Sequence, residues 1–234
     1  TDQVTGLAMY LFLAPVFFVS MLLVLLVTIF HLIKNPSYIT HHKKIRRFLG
    51  IWFFAYLIFI LLFTGPRDLN VYPSKEDSPY KLPWNAGVTR FVAQGNRSFT
   101  SHRDFHEYAW DFVMPIDTKI LAARDGKVVE VLEKFDGIGI NSNALTLEHE
   151  DGERSVYAHI QRNGALVKLG EYVRQGQPIA LSGMVGQTIF PHLHFYVINR
   201  DGLGSKPIAF ADAGVPLAGH FYTSKNQLAF HPKE

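Results

Sequence analysis

The sequence of 234 residues contains no cysteine. Disulfide bonds and thiolate metal ligands are therefore excluded, and His, Asp and Glu are the only strong metal ligands that the chain can offer. No strip of the chain interleaves basic with aromatic residues, and the net charge of +3 comes partly from one short basic segment. This distribution of charge does not indicate binding to DNA or RNA, so we expect no nucleic-acid partner.

The first part of the chain has few charges. Residues 6–33 contain no Asp, Glu, Lys or Arg, and a helix of that length exceeds the roughly 30 Å hydrocarbon core of a bilayer. A second uncharged run, residues 48–65, has about the minimum spanning length and ends at Gly65 and Pro66. Residues 1–65 therefore predict a transmembrane helical hairpin in contact with membrane lipid. A cleavable signal peptide is the alternative for the first run, but this run lacks a basic start and is too long.

The charges around these runs predict how the hairpin is oriented. The connecting loop, residues 34–47, carries five Lys and Arg residues, whereas residues 1–5 carry none. The basic loop is therefore expected in the cytoplasm, which leaves both termini on the periplasmic or extracellular side of the inner or cytoplasmic membrane. Small residues early in the first run also leave room for contacts with other membrane subunits. The sequence predicts a two-pass membrane protein.

Residues 66–85 contain four prolines among charged residues and predict an extended linker or a packed arm before the domain. The pattern after it is β throughout, which predicts a mainly antiparallel β-domain over residues 86–234. Asp125-Gly126 and Asp151-Gly152 each separate two β-rich runs, and each predicts a β-hairpin. Residues 177–181 and 192–198 predict further strands.

A group of potential metal ligands lies on the predicted strands. His192 and His194 are two residues apart, so strand alternation directs both to one face, and the same argument places Tyr157 and His159 on one face. Asp111 is the only charge in the apolar run 109–114, where a carboxylate needs a compensating partner such as a metal ion. Two His, one carboxylate and an open position would suit zinc-dependent hydrolysis. Each residue also has an ordinary structural explanation, and spacing alone leaves both explanations open.

Five segments, in this order, resemble the motifs of the lysostaphin or LytM-type peptidases. They are Ser101-His102, residues 108–115 (YAWDFVMP), residues 122–128 (AARDGKV), Tyr157-Ala158-His159 and residues 191–195 (PHLHF). The resemblance covers residues 85–225, nearly all of the part outside the predicted hairpin. It implies a compact, mostly antiparallel β-fold with a metal ion in a groove.

The resemblance also implies roles for individual residues. His102, Asp111 and His194 would hold zinc, which would polarise the scissile carbonyl and lower the pKa of a water towards 7. His159 and His192 would then face the water and the substrate carbonyl, moving the proton and stabilising the oxyanion. Which of these two histidines is the general base stays open.

Three further expectations concern the surroundings of the site. Tyr157 and Asn96 are the candidate substrate-binding residues. Many family members space the first ligand as His-x-x-x-Asp, so His106 is an alternative to His102, although Ser101-His102 resembles the longer-spaced version of the motif. Asp104 and Asp117 stand where the family usually has Gly, so the two turns that contain them are expected to be built differently.

Three functions remain open at the level of the sequence. The first is a membrane-anchored zinc metalloendopeptidase that cuts stem peptides or cross-bridges of peptidoglycan. The second is a regulator of a cell-wall hydrolase that has the same fold without catalysis, for which loss of a metal ligand would be the signature. The third is a peptidase subunit of a larger membrane complex that acts on a protein substrate. The intact ligand set favours an active peptidase.

Overall fold

The computed structural model describes residues 27, 30, 34, 47, 50–55, 69–98 and 100–228. The chain divides into two compact units, Thr1–Ile60 and Leu61–Glu234. The described residues of the first unit are helical. Among the described residues, no helix combines the length and apolarity needed to cross a bilayer. Most of the two predicted membrane spans, residues 6–33 and 48–65, lies outside the described residues.

The second unit is built from antiparallel β-strands, which confirms the predicted fold class of the domain. Its strands are β1 (Thr89–Gln94), β2 (Trp110–Val113), β3 (Lys119–Leu121), β4 (Gly126–Leu132), β5 (Ala144–Glu148), β6 (Arg154–Ala158), β7 (Ile160–Ala165), β8 (Tyr172–Val173), β9 (Pro178–Ser182), β10 (His192–Ile198) and β11 (Phe221–Thr223). Short 3-10 helices occupy Leu69–Val71 and Asp104–His106. Eight strands form one sheet in the order β11-β1-β2-β10-β6-β5-β4-β8, and β3-β9-β7 form a second sheet.

One predicted hairpin is confirmed and the other is wrong. Strands β5 and β6 pair on either side of Asp151-Gly152, as predicted. Strands β3 and β4, on either side of Asp125-Gly126, belong to different sheets, because β3 pairs with β9 whereas β4 pairs with β5 and β8. Gly126 is needed for close packing instead, since a Cβ there would lie 2.7 Å from the Glu148 carbonyl oxygen.

The hydrophobic core lies on one face of the strands that carry the site. On β10, Leu193 and Phe195 are fully buried, and they pair in register with Phe112 and Trp110 of β2. The intervening residues of both strands face the opposite side of the sheet, as strand alternation requires. The core therefore fixes which side chains of β2 and β10 can reach the site.

Part of the predicted linker belongs to this core. Tyr80, Leu82 and Trp84 are almost completely buried. The backbone N–H of Lys81 donates to the Ala123 carbonyl at 2.9 Å, so the segment also exchanges hydrogen bonds with the domain. The proline content left open an extended linker or a packed arm up to residue 85. Alternate apolar side chains in residues 80–84 reach the core, which agrees with the packed arm for this part. In the structure the folded domain begins before residue 86.

The two unusual turns keep a glycine-like backbone. Asp104 has φ of 52° and Asp117 has φ of 65°, both in the left-handed region. Asp is among the non-glycine residues that most often adopt this region. Aspartate thus occupies, at both positions, a backbone conformation that glycine adopts most readily.

Candidate metal centre

Two neighbouring strands bring the carboxylate and both histidines of the PHLHF motif together. In the register of β2 and β10, His194 lies directly opposite Asp111. His192 and His194 share the face of β10 away from the core, as the alternation predicted. Nδ1 of His194 is 2.8 Å from Oδ1 of Asp111, and Nε2 of His192 is 3.4 Å from the same oxygen.

His102 approaches the same carboxylate from the loop before β2. Its Nε2 lies 3.3 Å from Asp111 Oδ1, and its ring centroid lies 5.0 Å from that of His194. His102, Asp111 and His194 each offer one ligand atom, and these three atoms lie within 4.8 Å of one another. The structure thus brings together the three residues that the sequence proposed as metal ligands.

The hydrogen bonding of His102 fits a metal ion between these groups. Nδ1 of His102 lies 2.8 Å from the Gly95 carbonyl oxygen, which can only accept, so Nδ1 carries the proton. In the neutral ring, Nε2 then presents a lone pair towards the Asp111 carboxylate. This nitrogen is buried without a hydrogen-bond partner in the described part of the chain. Two facing lone pairs need a cation between them, either a proton on Nε2 or a metal ion. Two imidazoles with one carboxylate form a donor set that zinc prefers.

The electrostatics of the site favour the forms of these side chains that bind metal. Burial alone would raise the pKa of Asp111, but the imidazoles of His102 and His192 outweigh burial and hold the pKa well below its usual range. Burial lowers the pKa of His194 to about 4, against the opposing hydrogen bond to Asp111. The carboxylate is therefore ionised and the His194 ring neutral near pH 7, as metal coordination requires.

His159 reaches the site through an unusual backbone conformation. It follows the last residue of β6 and has φ of 63°, so the chain turns there. Its ring centroid lies 4.6 Å from that of His192 and 5.7 Å from that of His194. Nδ1 lies 2.7 Å from the Val185 carbonyl oxygen and 3.0 Å from Ser142 Oγ. Burial, reinforced by the two neighbouring histidines, lowers the pKa of His159 to about 3.

His192 is oriented in a similar way by the loop that precedes β10. Its Nδ1 lies 2.9 Å from the Phe190 carbonyl oxygen and 3.1 Å from Thr188 Oγ1. Burial would lower the pKa of His192, but the Asp111 carboxylate raises it above the usual value. Because Nδ1 donates to a carbonyl, Nε2 of His192 is the nitrogen directed at Asp111.

Tyr157 does not lie where strand alternation placed it. Its side chain is fully buried on the core face, opposite Phe195, with the two ring centroids 5.2 Å apart. Its hydroxyl accepts a hydrogen bond from the Ala123 N–H at 2.8 Å. The positive φ of His159 breaks the alternation after Ala158, so the histidine faces the metal site while the tyrosine remains in the core. This position does not support contact between Tyr157 and a substrate.

Asn96 is also buried, with 7% of its surface exposed. In the orientation that satisfies both ends of its amide, the nitrogen donates to the carbonyls of Tyr108 and Ala109 at 3.2 and 2.7 Å. The amide oxygen then accepts from the Tyr72 hydroxyl at 3.0 Å. These contacts hold the loop between His102 and Asp111. In the structure Asn96 therefore stabilises this loop, and its amide is not available for the expected contact with substrate.

His106, the alternative first ligand, lies beside the site. Its ring centroid is 5.5 Å from that of His194 and 4.9 Å from that of Tyr196. It is not a member of the group whose ligand atoms converge in the described structure. The geometry therefore favours His102 as the ligand and places His106 at the edge of the site.

The residues that orient the histidines were missed at the level of the sequence. Ser142, Thr188 and the Gly95 carbonyl contact His159, His192 and His102 respectively. Ser142 is 17 residues from its histidine in sequence, and nothing in its local pattern distinguishes it from a loop serine. Only the folded structure reveals these contacts.

Known proteins resemble this region of the chain. The model of Peptidase family M23 matches residues 105–207, which include Asp111, His159, His192 and His194 but begin after His102. ShyB, a peptidoglycan DD-endopeptidase of Vibrio cholerae serotype O1, is 37% identical over 108 residues, or 46% of this chain and 23% of ShyB. Lysostaphin of Staphylococcus simulans is 36% identical over 88 residues, or 38% of this chain and 17% of lysostaphin.

Solved structures give a similar result. The NMR solution structure of lysostaphin is 37% identical, with a TM-score of 0.33, and covers 38% of this chain and 35% of that chain. The crystal structure of a zinc containing peptidase from Vibrio cholerae is 26% identical, with a TM-score of 0.39, and covers 61% of this chain and 41% of that chain. The chain spans less than a quarter of the length of ShyB or lysostaphin. Residues 105–207 thus resemble Peptidase family M23, and zinc is the metal for which the group His102, Asp111 and His194 is suited.

Proposed function

We propose that this chain is a membrane-anchored zinc metalloendopeptidase that hydrolyses peptide bonds in the stems or cross-bridges of peptidoglycan. The observation that carries the proposal is the convergence of His102, Asp111 and His194, of which Asp111 and His194 lie within the residues that match Peptidase family M23. Several relatives support the substrate class, because their names describe peptidoglycan DD-endopeptidases, lysostaphins and a glycyl-glycine endopeptidase.

The ligand residues would hold zinc through two imidazoles and one carboxylate, which leaves a coordination position open. Zinc held there would supply the Lewis acidity that polarises a scissile carbonyl and lowers the pKa of a water. The chain itself supplies the buried, ionised carboxylate of Asp111 and the fixed orientation of His102. Both are in place before the substrate arrives, so little reorganisation accompanies binding.

We assign the proton transfer of the reaction to His159 and His192. Nδ1 of each ring faces a carbonyl oxygen, so Nδ1 carries a hydrogen and Nε2 is the nitrogen left for proton transfer. The pKa of His159 is lowered, so its ring is neutral at pH 7 and can act as a base. His192 lies next to the Asp111 carboxylate and, with the hydrogen on both nitrogens, can donate to a developing oxyanion.

The membrane part of the proposal is supported by the sequence. Two uncharged runs flank a basic loop, a pattern typical of a helical hairpin with its loop in the cytoplasm. We propose that the hairpin is a two-pass anchor in the inner or cytoplasmic membrane. The M23 domain would then face the periplasmic or extracellular side, where peptidoglycan lies.

Zinc content and hydrolysis can be tested together. The full chain purified in detergent should contain one zinc, as measured by elemental analysis, and should release fragments from purified peptidoglycan. His102→Ala should lose both properties, whereas His106→Ala, a matched histidine change in the same loop, should keep its zinc.

The outcomes separate the competing functions. Zinc without release of fragments would favour the regulator, or the subunit that acts on a protein substrate. A zinc-free parent protein would exclude the metallopeptidase. Loss of zinc with His106→Ala and not with His102→Ala would show that the ligand set proposed here is wrong.

A further inference from the structure

The loop that joins His102 to Asp111 is fixed by hydrogen bonds within its own turn and by contacts with other parts of the chain. Arg97 holds it from one side, because its N–H donates to the Glu107 carbonyl at 2.6 Å and its guanidinium lies 2.9 Å from the Glu107 carboxylate. Ser205 holds it from another side, since its Oγ accepts from the Tyr108 N–H at 2.9 Å. The positions of the first two metal ligands relative to each other therefore depend on these outside contacts.

Asn96 connects the residue that orients His102 with the segment that leads into Asp111. It directly follows Gly95, whose carbonyl fixes the His102 ring at 2.8 Å. The Asn96 amide nitrogen donates to the carbonyl of Ala109, two residues before Asp111. One buried side chain thus ties the acceptor of the first ligand to the strand that carries the second.

Tyr72 completes the hydrogen bonding of Asn96 from the segment before the domain. Its hydroxyl donates to the Asn96 amide oxygen at 3.0 Å, and its ring packs edge-on against Tyr108 with centroids 5.9 Å apart. The Tyr72 backbone is itself held by a turn, because its N–H donates to the Leu69 carbonyl. Asn96 is almost fully buried, so removal of the hydroxyl would leave its amide oxygen with an unmet hydrogen bond.

We propose that Tyr72 and Asn96 are positioning residues for the metal centre, and that the segment preceding the domain thereby helps to set the affinity for zinc. This inference rests on the proposed zinc site. Outer residues that orient metal ligands typically change metal affinity by about 10–100-fold when they are mutated. Asn96 should lie near the lower end of this range, and Tyr72, one contact further out, should have a smaller effect.

The test compares Tyr72→Phe and Asn96→Ala with Tyr172→Phe in the full chain purified in detergent. Tyr172 is an exposed tyrosine on β8, so its change controls for the loss of a hydroxyl. Zinc affinity is measured by competition with a chromogenic chelator, and the unfolding temperature is measured on zinc-free protein.

We expect zinc affinity to fall about 10-fold in Asn96→Ala, at the lower end of the range for residues outside the ligand shell, and by a smaller but measurable factor in Tyr72→Phe. The unmet hydrogen bond of the Asn96 amide should lower the zinc-free unfolding temperature of Tyr72→Phe below that of Tyr172→Phe. Zinc affinity is therefore compared well below both unfolding temperatures, where both variants are folded, which separates positioning from general stability. Equal zinc affinity in Tyr72→Phe and Tyr172→Phe would refute the positioning role while leaving the zinc site intact. A parent protein that binds no zinc would instead refute the proposed function, and the positioning role with it.

Discussion

Gly186→Ala should damage catalysis through a residue that contacts neither metal nor substrate. Gly186 has φ of 99°, and a Cβ added there would lie 2.7 Å from Cβ and 2.9 Å from Cα of Ser142. Real Cβ atoms do not approach other atoms so closely, so the Ser142 backbone has to move. Ser142 Oγ lies 3.0 Å from Nδ1 of His159, so the displacement would reach the proposed base.

Two effects should lower the stability of Gly186→Ala. Backbone strain from a left-handed alanine costs about 1–3 kcal/mol. The overlap with Ser142 adds about 1–3 kcal/mol, as overpacking does elsewhere. Gly170→Ala is the matched control, because Gly170 has φ of 85° and a Cβ there would meet nothing within 4 Å. The difference between the two variants therefore isolates the overlap.

Thermal unfolding, zinc content and release of peptidoglycan fragments measure the separate effects. For a domain of this size, each kcal/mol lowers the unfolding temperature by about 2–4 °C, and Gly186→Ala should lose more than Gly170→Ala. The Gly186→Ala protein should retain one zinc. Its rate of fragment release should fall about 10–100-fold, as for other changes outside the ligand shell. Equal unfolding temperatures for the two variants would refute the overlap argument. A normal rate in a destabilised Gly186→Ala would refute the link to His159.

Three further predictions address the ligands, the extent of the domain and pH. His194→Ala should lose zinc and activity together, whereas His159→Ala should keep zinc and lose activity; turnover in both variants would remove the mechanism. Leu82→Ala, which truncates a fully buried side chain, should lower the free energy of unfolding by about 2–5 kcal/mol in urea titrations. A loss below about 0.5 kcal/mol, as is usual for surface residues, would place residue 82 outside the folded domain. Burial lowers the pKa of His149, against its hydrogen bond to the Asp125 carbonyl, so below pH of about 6.5 the unfolded chain binds more protons than the folded chain. Stability should therefore fall as the pH drops from about 6.5 towards 5. His149→Gln should make stability less dependent on pH in this range. An unchanged dependence would show that His149 is not its source.

The part of the site that lies on regular strands could be predicted from the sequence. Strand alternation placed His192 and His194 on one face, and the apolar composition of residues 109–114 identified Asp111 as the charge in need of a partner. The first inference depends on the two-residue period of an extended chain, and the second depends on the neighbouring residues in the sequence. Both are local properties, so a single sequence is enough to use them.

The predictions failed where the chain departs from that period or where packing overrides composition. Alternation put Tyr157 beside His159, but a positive φ at His159 separates them. Asp125-Gly126 has the composition of a hairpin turn, yet the chain passes there from one sheet to the other. The proline-rich segment resembles a linker, although Leu82 and Trp84 are core residues. In each case a long-range contact decides the local structure.

The orientation of the imidazoles shows why the groups that orient metal-site histidines cannot be predicted from one sequence. His102, His159 and His192 each direct Nδ1 at a backbone carbonyl, which leaves Nε2 as the nitrogen available to the site. The three carbonyls belong to Gly95, Val185 and Phe190. Any residue offers a carbonyl, so these acceptors place no constraint on side-chain identity and form no motif. They depend instead on the shapes of two loops, residues 95–101 and 183–191, and a change of loop shape should therefore alter catalysis even where every ligand is retained.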